Sequence, residues 1–251
     1  MSNNFKGFRV LVFLLFCVVC QGAVAAEENA SNPLAKVKNT DLRLQTFDVD
    51  DSYINDLFID GAFMANDDLK IKYELHYWET DLSGRSEQGL ESSTLKAIYF
   101  PKEGKVEDRS FSGYRLAVGL DWIVDLSDDD DEAIGSGSDQ LAPFFGVALA
   151  YESGLTLIPL LQHFFEYSGD EVNMTAFRLI AMKPLPEKAW FKLDAKLPVD
   201  WENDNAIPAT VELQYGKSFH KHIGAYADLL AGVGSDRPYD WGLGVGMRFS
   251  Y

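Results

Sequence analysis

Cysteine is almost missing from this 251-residue chain: there are two, Cys17 and Cys20, both near its start. They fall in a segment that reads as a cleavable export signal. Lys6 and Arg9 form a short basic stretch, Val10 to Val19 an apolar run, and Ala23-Val24-Ala25 the small residues a signal peptidase needs. The apolar run is too short to cross a bilayer, which takes about 20 residues, and this argues against the competing reading of an uncleaved anchor. Lipidation at Cys20 is a further alternative, disfavoured because Val19 stands where a small residue is wanted. With residues 1–25 removed no cysteine remains, which excludes a disulfide framework and a thiolate metal site.

Long apolar runs are missing too. After the signal no stretch of 18 apolar residues occurs, so no transmembrane helix is expected. In hydrocarbon the other solution is a closed barrel, since an open sheet edge leaves backbone groups unpaired. A soluble periplasmic protein lacks such runs as well, so composition does not separate the two. Positive charge is scarce: without Lys6 and Arg9 there are 20 basic residues against 39 acidic, a net charge near −19. Such a chain is repelled by nucleic acid and by anionic surfaces. Nothing points to a cofactor. No Gly-x-Ser-x-Gly elbow occurs, and the four histidines (His76, His163, His220, His222) are scattered. No Gly/Pro/Ser-rich linker divides the chain, so one domain of roughly 226 residues is expected.

What is present is alternation. Along the last eleven residues one face carries Trp241, Leu243, Val245, Met247, Phe249 and Tyr251, and the other Gly242, Gly244, Gly246, Arg248 and Ser250. An apolar face with aromatics at both ends, backed by small or charged residues, suits a wall between lipid and a wet interior. The spacing Gly246-x-x-Phe249-x-Tyr251 resembles the terminal assembly signal of bacterial outer-membrane barrels and implies the barrel-assembly machinery as a partner. Segments 69–78, 115–126, 189–199 and 207–216 alternate in the same way over about 10 residues, the length a tilted transmembrane strand needs. Weaker candidates at 41–48, 54–64, 93–100, 140–152, 154–167, 171–183 and 220–232 bring the count to twelve, an even number as bacterial single-chain barrels require. Segment 154–167 is apolar on both faces, and a short buried helix competes there, although Pro159 argues against an unbroken one.

The expected fold is therefore all-β: a transmembrane antiparallel up-and-down barrel of about twelve strands spanning 41–251. It follows a signal peptide over 1–25 and a periplasmic segment over 26–40. With the N-terminus in the periplasm, long links fall outside and short ones inside, as such barrels have them. Only 101–112 breaks that rule, being long on the inner side.

The inward ionic set is Lys70, Lys72, Glu74, Arg115, Asp121, Asp125, Arg178, Lys192, Asp194, Lys196, Glu212 and Arg248. Two readings stand: a charged, water-filled passage that sorts solutes, or a plugged interior in which the same residues form salt-bridged ladders. Inward Phe144 and Phe164 would favour apolar cargo. The run Asp128, Asp129, Asp130, Asp131, Glu132 is a weak cation candidate. Its spacing does not match a calcium loop, and a solvated outer loop is the better reading. His220-x-His222 puts two imidazoles on one strand face without a third ligand nearby, so a surface pair is favoured.

The chain also resembles the outer-membrane barrels of the phenol-degradation meta-pathway family, a group of transporters. The resemblance rests on Asn32-Pro33-Leu34-Ala35, Gly89-Leu90, Phe100-Pro101, Ser168-Gly169-Asp170, Val172-Asn173, Pro186 to Trp190, Asp200-Trp201-Glu202, Pro208, Gly216-Lys217 and Trp241, in that order. It departs at Glu91-Ser92, where Gly-Asp is usual, and at Arg178-Leu179, where Gln-Pro is frequent, which makes it a divergent member. The resemblance implies uptake of hydrophobic or aromatic compounds across the outer membrane, with lipid and lipopolysaccharide as surroundings. The expected function is passive transport of small solutes. The alternatives are an enzyme acting on lipid or lipopolysaccharide, and an adhesive or structural barrel.

Overall fold

The computed structural model describes residues 29–106, 111–128 and 133–251. The export-signal reading of 1–25, and Asp129 to Glu132 of the acidic run, lie outside these. Strands dominate: β1 (Asn39–Val49), β2 (Ser52–Met64), β3 (Leu69–Thr80), β4 (Glu87–Tyr99), β5 (Glu103–Lys105), β6 (Phe111–Asp125), β7 (Ser138–Tyr151), β8 (Thr156–Gly169), β9 (Asn173–Leu185), β10 (Ala189–Asp200), β11 (Ala209–Ser218), β12 (Ile223–Val233) and β13 (Trp241–Ser250). Every pairing is antiparallel. The last strand returns to the first through ten residue pairs, from Asn39 with Ser250 to Asp48 with Trp241. The result is a closed barrel of twelve strands, with β5 as a short extra piece.

Closure follows from the solvent on each side. On the outer wall Leu42, Leu44, Leu57, Leu95, Phe145, Leu161, Phe177, Leu229, Leu243 and Val245 are exposed. A soluble protein would hide such a surface, whereas here it wraps the whole wall in a band. Aromatics sit at both margins: Trp122, Tyr167, Trp201 and Trp241 toward one end, Phe63, Tyr99, Phe249 and Tyr251 toward the other. The Trp122 indole N–H donates to the Tyr167 hydroxyl at 2.6 Å, tying two members of one girdle together.

Both described ends of the chain lie at the same end of the barrel, called here the terminal end; the opposite one is the loop end. Links at the terminal end are mostly short. The β9–β10 link is a single turn, Pro186–Lys188, with Glu187 and Lys188 in the left-handed region at φ 58° and 60°. The long link after β4 folds back as β5 and pairs Glu103 with Arg115 on β6, which is how it satisfies its backbone. Links at the loop end include 81–86, 126–137, 201–208 and 234–240. Two of these are latched: the Asp236 carboxylate accepts the Ile207 N–H at 2.9 Å. That bond, with one from the Ser235 hydroxyl, holds Asp236 below the usual carboxylate range.

The stretch 154–167 is not helix: 154–155 lie in a turn and 156–167 belong to β8. From β8 Leu161 and Phe165 face outward, while Ile158 and Leu160 are buried inside. Both faces are apolar because one meets the exterior band and the other an apolar cluster within the barrel.

Candidate functional site

The lumen holds three kinds of surface. The first is a clasp across the seam between first and last strand. Arg248 on β13 donates to both oxygens of Asp41 on β1, at 2.9 Å and 3.0 Å from Nε and 2.5 Å from Nη2. The Tyr226 hydroxyl adds a bond to Asp41 at 3.0 Å, and the guanidinium carbon lies 5.2 Å from the Tyr226 ring centre and 5.5 Å from that of Trp190. Such closeness needs a glycine: a side chain at Gly246 would collide with the Tyr226 ring. Gly216 likewise makes room for Trp190. Gly216 and Gly246 are thus seats for aromatic rings.

The second is a belt of paired charges. Arg43 approaches Asp60 at 3.4 Å, Lys72 Glu74 at 3.3 Å, Lys96 Asp121 at 2.8 Å, and Lys192 Glu212 at 2.7 Å. Arg178 grips Asp194 with two bonds of 2.8 and 2.6 Å. Gln162 donates to Asp121 at 2.9 Å and carries the belt past β7 and β8. Lys196 lies over the Phe164 ring at 5.3 Å and Lys96 over Phe144 at 5.9 Å. Arg43, Lys72, Lys96, Arg178 and Lys192 each have a carboxylate beside them, and Lys196 lies over a ring, so most of the belt's charge is paired. Asp121 Oδ1 and Asp228 Oδ2 are buried and accept no hydrogen bond among the described residues.

The third is the N-terminal segment. Residues 29–36 run across the lumen at the terminal end and touch widely separated strands. Arg248 on β13 donates to Asn29 Oδ1 at 3.1 Å and to the Ser31 hydroxyl at 2.8 Å. Ser31 donates to Gln214 on β11 at 2.7 Å. Lys70 on β3, only 1% exposed, donates to the carbonyls of Pro33 and Ala35 at 3.1 and 2.7 Å. Arg115 on β6 donates to the carbonyl of Leu34 at 3.0 Å. The Leu34 side chain is 1% exposed and joins Ile98, Phe100, Ala117, Ala148, Ile158, Leu160, Ile180 and Met182 in one apolar cluster. Burying a leucine side chain stabilises the segment by about 1.5–3 kcal/mol. The backbone of 33–35 thus bridges two cations while its central side chain fills an apolar recess.

The remaining predicted residues fall elsewhere. Asp125 closes β6 at the loop end and accepts the N–H groups of Ser127 at 2.8 Å, Ser136 at 2.6 Å and Gly137 at 2.7 Å; it shapes a loop. Asp128 lies in that loop, and no group able to hold a metal ion occurs among the described residues. His222 approaches the Ser250 carbonyl at 2.8 Å, with its ring 6.1 Å from that of His220. His76 sits inside the lumen, 2.9 Å from Asp56 and 3.9 Å from Glu74, and stacks on Phe58. His163 reaches the Thr175 hydroxyl at 3.0 Å. His76 has carboxylates without a hydroxyl and His163 a hydroxyl without a carboxylate, so neither pair has the geometry of a nucleophile relay.

Sequence reasoning left Asp41, Arg43, Asp56, Asp60, Lys96 and Asp228 out of the lumen set. The signal for the first four was there: Asp41, Arg43 and Gln45 alternate with Leu42 and Leu44, and Asp56 and Asp60 with Leu57 and Ile59. The contribution of 29–36 had no periodic signal at all.

Solved structures share this architecture. An outer-membrane channel from Pseudomonas putida F1 superposes with a TM-score of 0.68 at 10% identity, over 92% of this chain and 100% of that one. The NanC porin gives 0.62 at 12% identity, over 84% and 100%. The KdgM porin gives 0.54 at 10% identity, over 85% and 99%. The likeness is one of fold. No protein-family model matches the chain, and no curated protein matches it in sequence.

Proposed function

We propose that this chain is an outer-membrane barrel that passes small solutes passively through a lumen narrowed by its own N-terminal segment. The observation that carries the reading is the pairing of two surfaces on one closed wall: an apolar band outside and a belt of mostly paired charges inside. An apolar exterior suits acyl chains, and an ionic interior suits water. The fold it shares with an outer-membrane channel and two porins supports the same reading. In this orientation the terminal end faces the periplasm, the loop end faces outward toward lipopolysaccharide, and β13 presents its last residues to the barrel-assembly machinery. Residues 1–25 serve as the export signal.

The resemblance to the phenol-degradation meta-pathway barrels bears on cargo: small apolar or aromatic compounds that slide past Phe144 and Phe164 and the apolar cluster near Leu34. The lipid-modifying and adhesive alternatives have no comparable support, since neither His76 nor His163 assembles a nucleophile relay. Purified protein in planar bilayers tests the proposal. Small, discrete conductance steps are expected, smaller than a barrel of this girth would give with an empty mouth. A barrel silent across a range of salt concentrations, with Leu34→Glu silent as well, rejects it.

A further inference from the structure

We propose that the place held by Pro33, Leu34 and Ala35 is a binding site for small monocarboxylates with a short branched apolar tail, and that the segment is a stand-in the ligand displaces. The idea deepens the channel reading and depends on it for its biological purpose, though its test does not.

The site is built from both halves of such a ligand. Lys70, buried in the wall, aims its ammonium at two backbone carbonyl oxygens 3.1 and 2.7 Å away, and Arg115 aims Nη1 at the carbonyl between them at 3.0 Å. A carboxylate placed where these carbonyls lie would accept the same N–H donors and add a full charge, which makes each bond stronger and shorter. Directly behind, the Leu34 side chain fills a recess formed by Ile98, Phe100, Ile158, Ile180 and Met182. The combination of a carbonyl on cations and an isobutyl group in an apolar recess is the shape of 4-methylpentanoate, which is leucine without its amino group. Charge of the opposite sense is also close by. Glu103 pairs with Arg115 at 2.7 Å and with Lys36 at 3.3 Å, so the ligand meets one resident carboxylate at the rim. Lys70 lies deeper, next to Ile98 in the strand register, and sets the preference for an acid.

Besides the Leu34 side chain, the segment is held by polar contacts that ligand or water can replace. Arg248 donates to Asn29 and Ser31, Lys70 to Pro33 and Ala35, and Arg115 to Leu34; Ser31 donates to Gln214, and Lys36 pairs with Asp68 and Glu103 near the surface. Asp41 retains Arg248 whether or not the segment is seated.

Displacement can be read from Trp190, whose indole donates to Gln214 at 2.9 Å, the same amide oxygen that Ser31 uses. Full-length protein in detergent is titrated with 4-methylpentanoate, 4-methylpentan-1-ol or acetate, with Trp190→Phe as the control that assigns the fluorescence change. The acid is expected to give a saturable change at concentrations about tenfold below either comparison compound, the factor that a charge-assisted bond confers. Lys70→Met should raise its midpoint about tenfold. Leu34→Ala leaves the barrel wall untouched and weakens the stand-in, so it should lower the midpoint severalfold. Equal potency of alcohol and acid, or an unchanged midpoint in Leu34→Ala, overturns the proposal. Conductance separates the two readings. Binding with silent bilayers removes the channel and keeps the site; conduction with no preference for the acid removes the site and keeps the channel.

Discussion

At the scale of single residues, the Asp41–Arg248 pair decides how much the seam can tolerate. Both side chains are almost fully buried, so each has left water and depends on the other. Removing one partner of a buried pair costs about 3–5 kcal/mol because a naked charge remains, whereas replacing both with apolar residues of similar size is often near neutral. Arg248→Met is therefore expected to destabilise the folded barrel by that amount, and the double substitution Asp41→Leu with Arg248→Met to recover most of it. Urea unfolding from lipid vesicles, followed by tryptophan fluorescence, measures both. A double variant no better than the single one contradicts the account. Arg248 was legible as an inward residue because it alternates with Met247 and Phe249. Its partner was not, because a pair 207 positions apart leaves no trace in local periodicity.

At the scale of elements, the strands that announced themselves were those with one greasy and one ionic face. β3, β10 and β13 lie within about two residues of their expected bounds, since alternation marks a strand that separates two unlike media. β8 was ambiguous for a physical reason: Ile158 and Leu160 face an apolar recess, so its inner face carries no ionic contrast. The short β5 could not be read at all, because three residues hold too little of any period. On β13 the contrast also makes a prediction. Val245 lies mid-strand on the outer face and is 58% exposed. An arginine there should cost about 2–4 kcal/mol in a bilayer, the penalty for a cation near the midplane. The same change at Gly244, on the inner face, fails for another reason, crowding against Asp228 and Gln45. Refolding yield into vesicles compared with refolding into a detergent micelle separates the two. The Val245→Arg defect should be larger in the bilayer, and the Gly244→Arg defect similar in both.

For the whole molecule, the distribution of charge matters more than its sum. The chain carries a net −17, yet the belt inside is paired. Much of the excess sits in links, at Asp50, Asp51, Asp81, Asp170, Glu171, Glu202, Asp204 and Asp236 among others, mostly at the loop end. Charges at a mouth act through solvent and fade with salt, since the screening length falls from about 10 Å at 0.1 M to about 3 Å at 1 M. Reversal potentials across a salt gradient should show a mild cation preference at low ionic strength that vanishes at high. A preference that persists in molar salt would place an unpaired charge inside the lumen.

The segment at the terminal end remains part of the same chain: only Val37 and Lys38 separate it from β1. A tether that short keeps a released piece hovering over its own seat at an effective concentration of roughly millimolar. A visitor from solution must therefore be abundant, or grip more firmly than the resident does, before it prevails. Once it has gone, the door swings shut by itself, with no spring to wind and no fuel to burn.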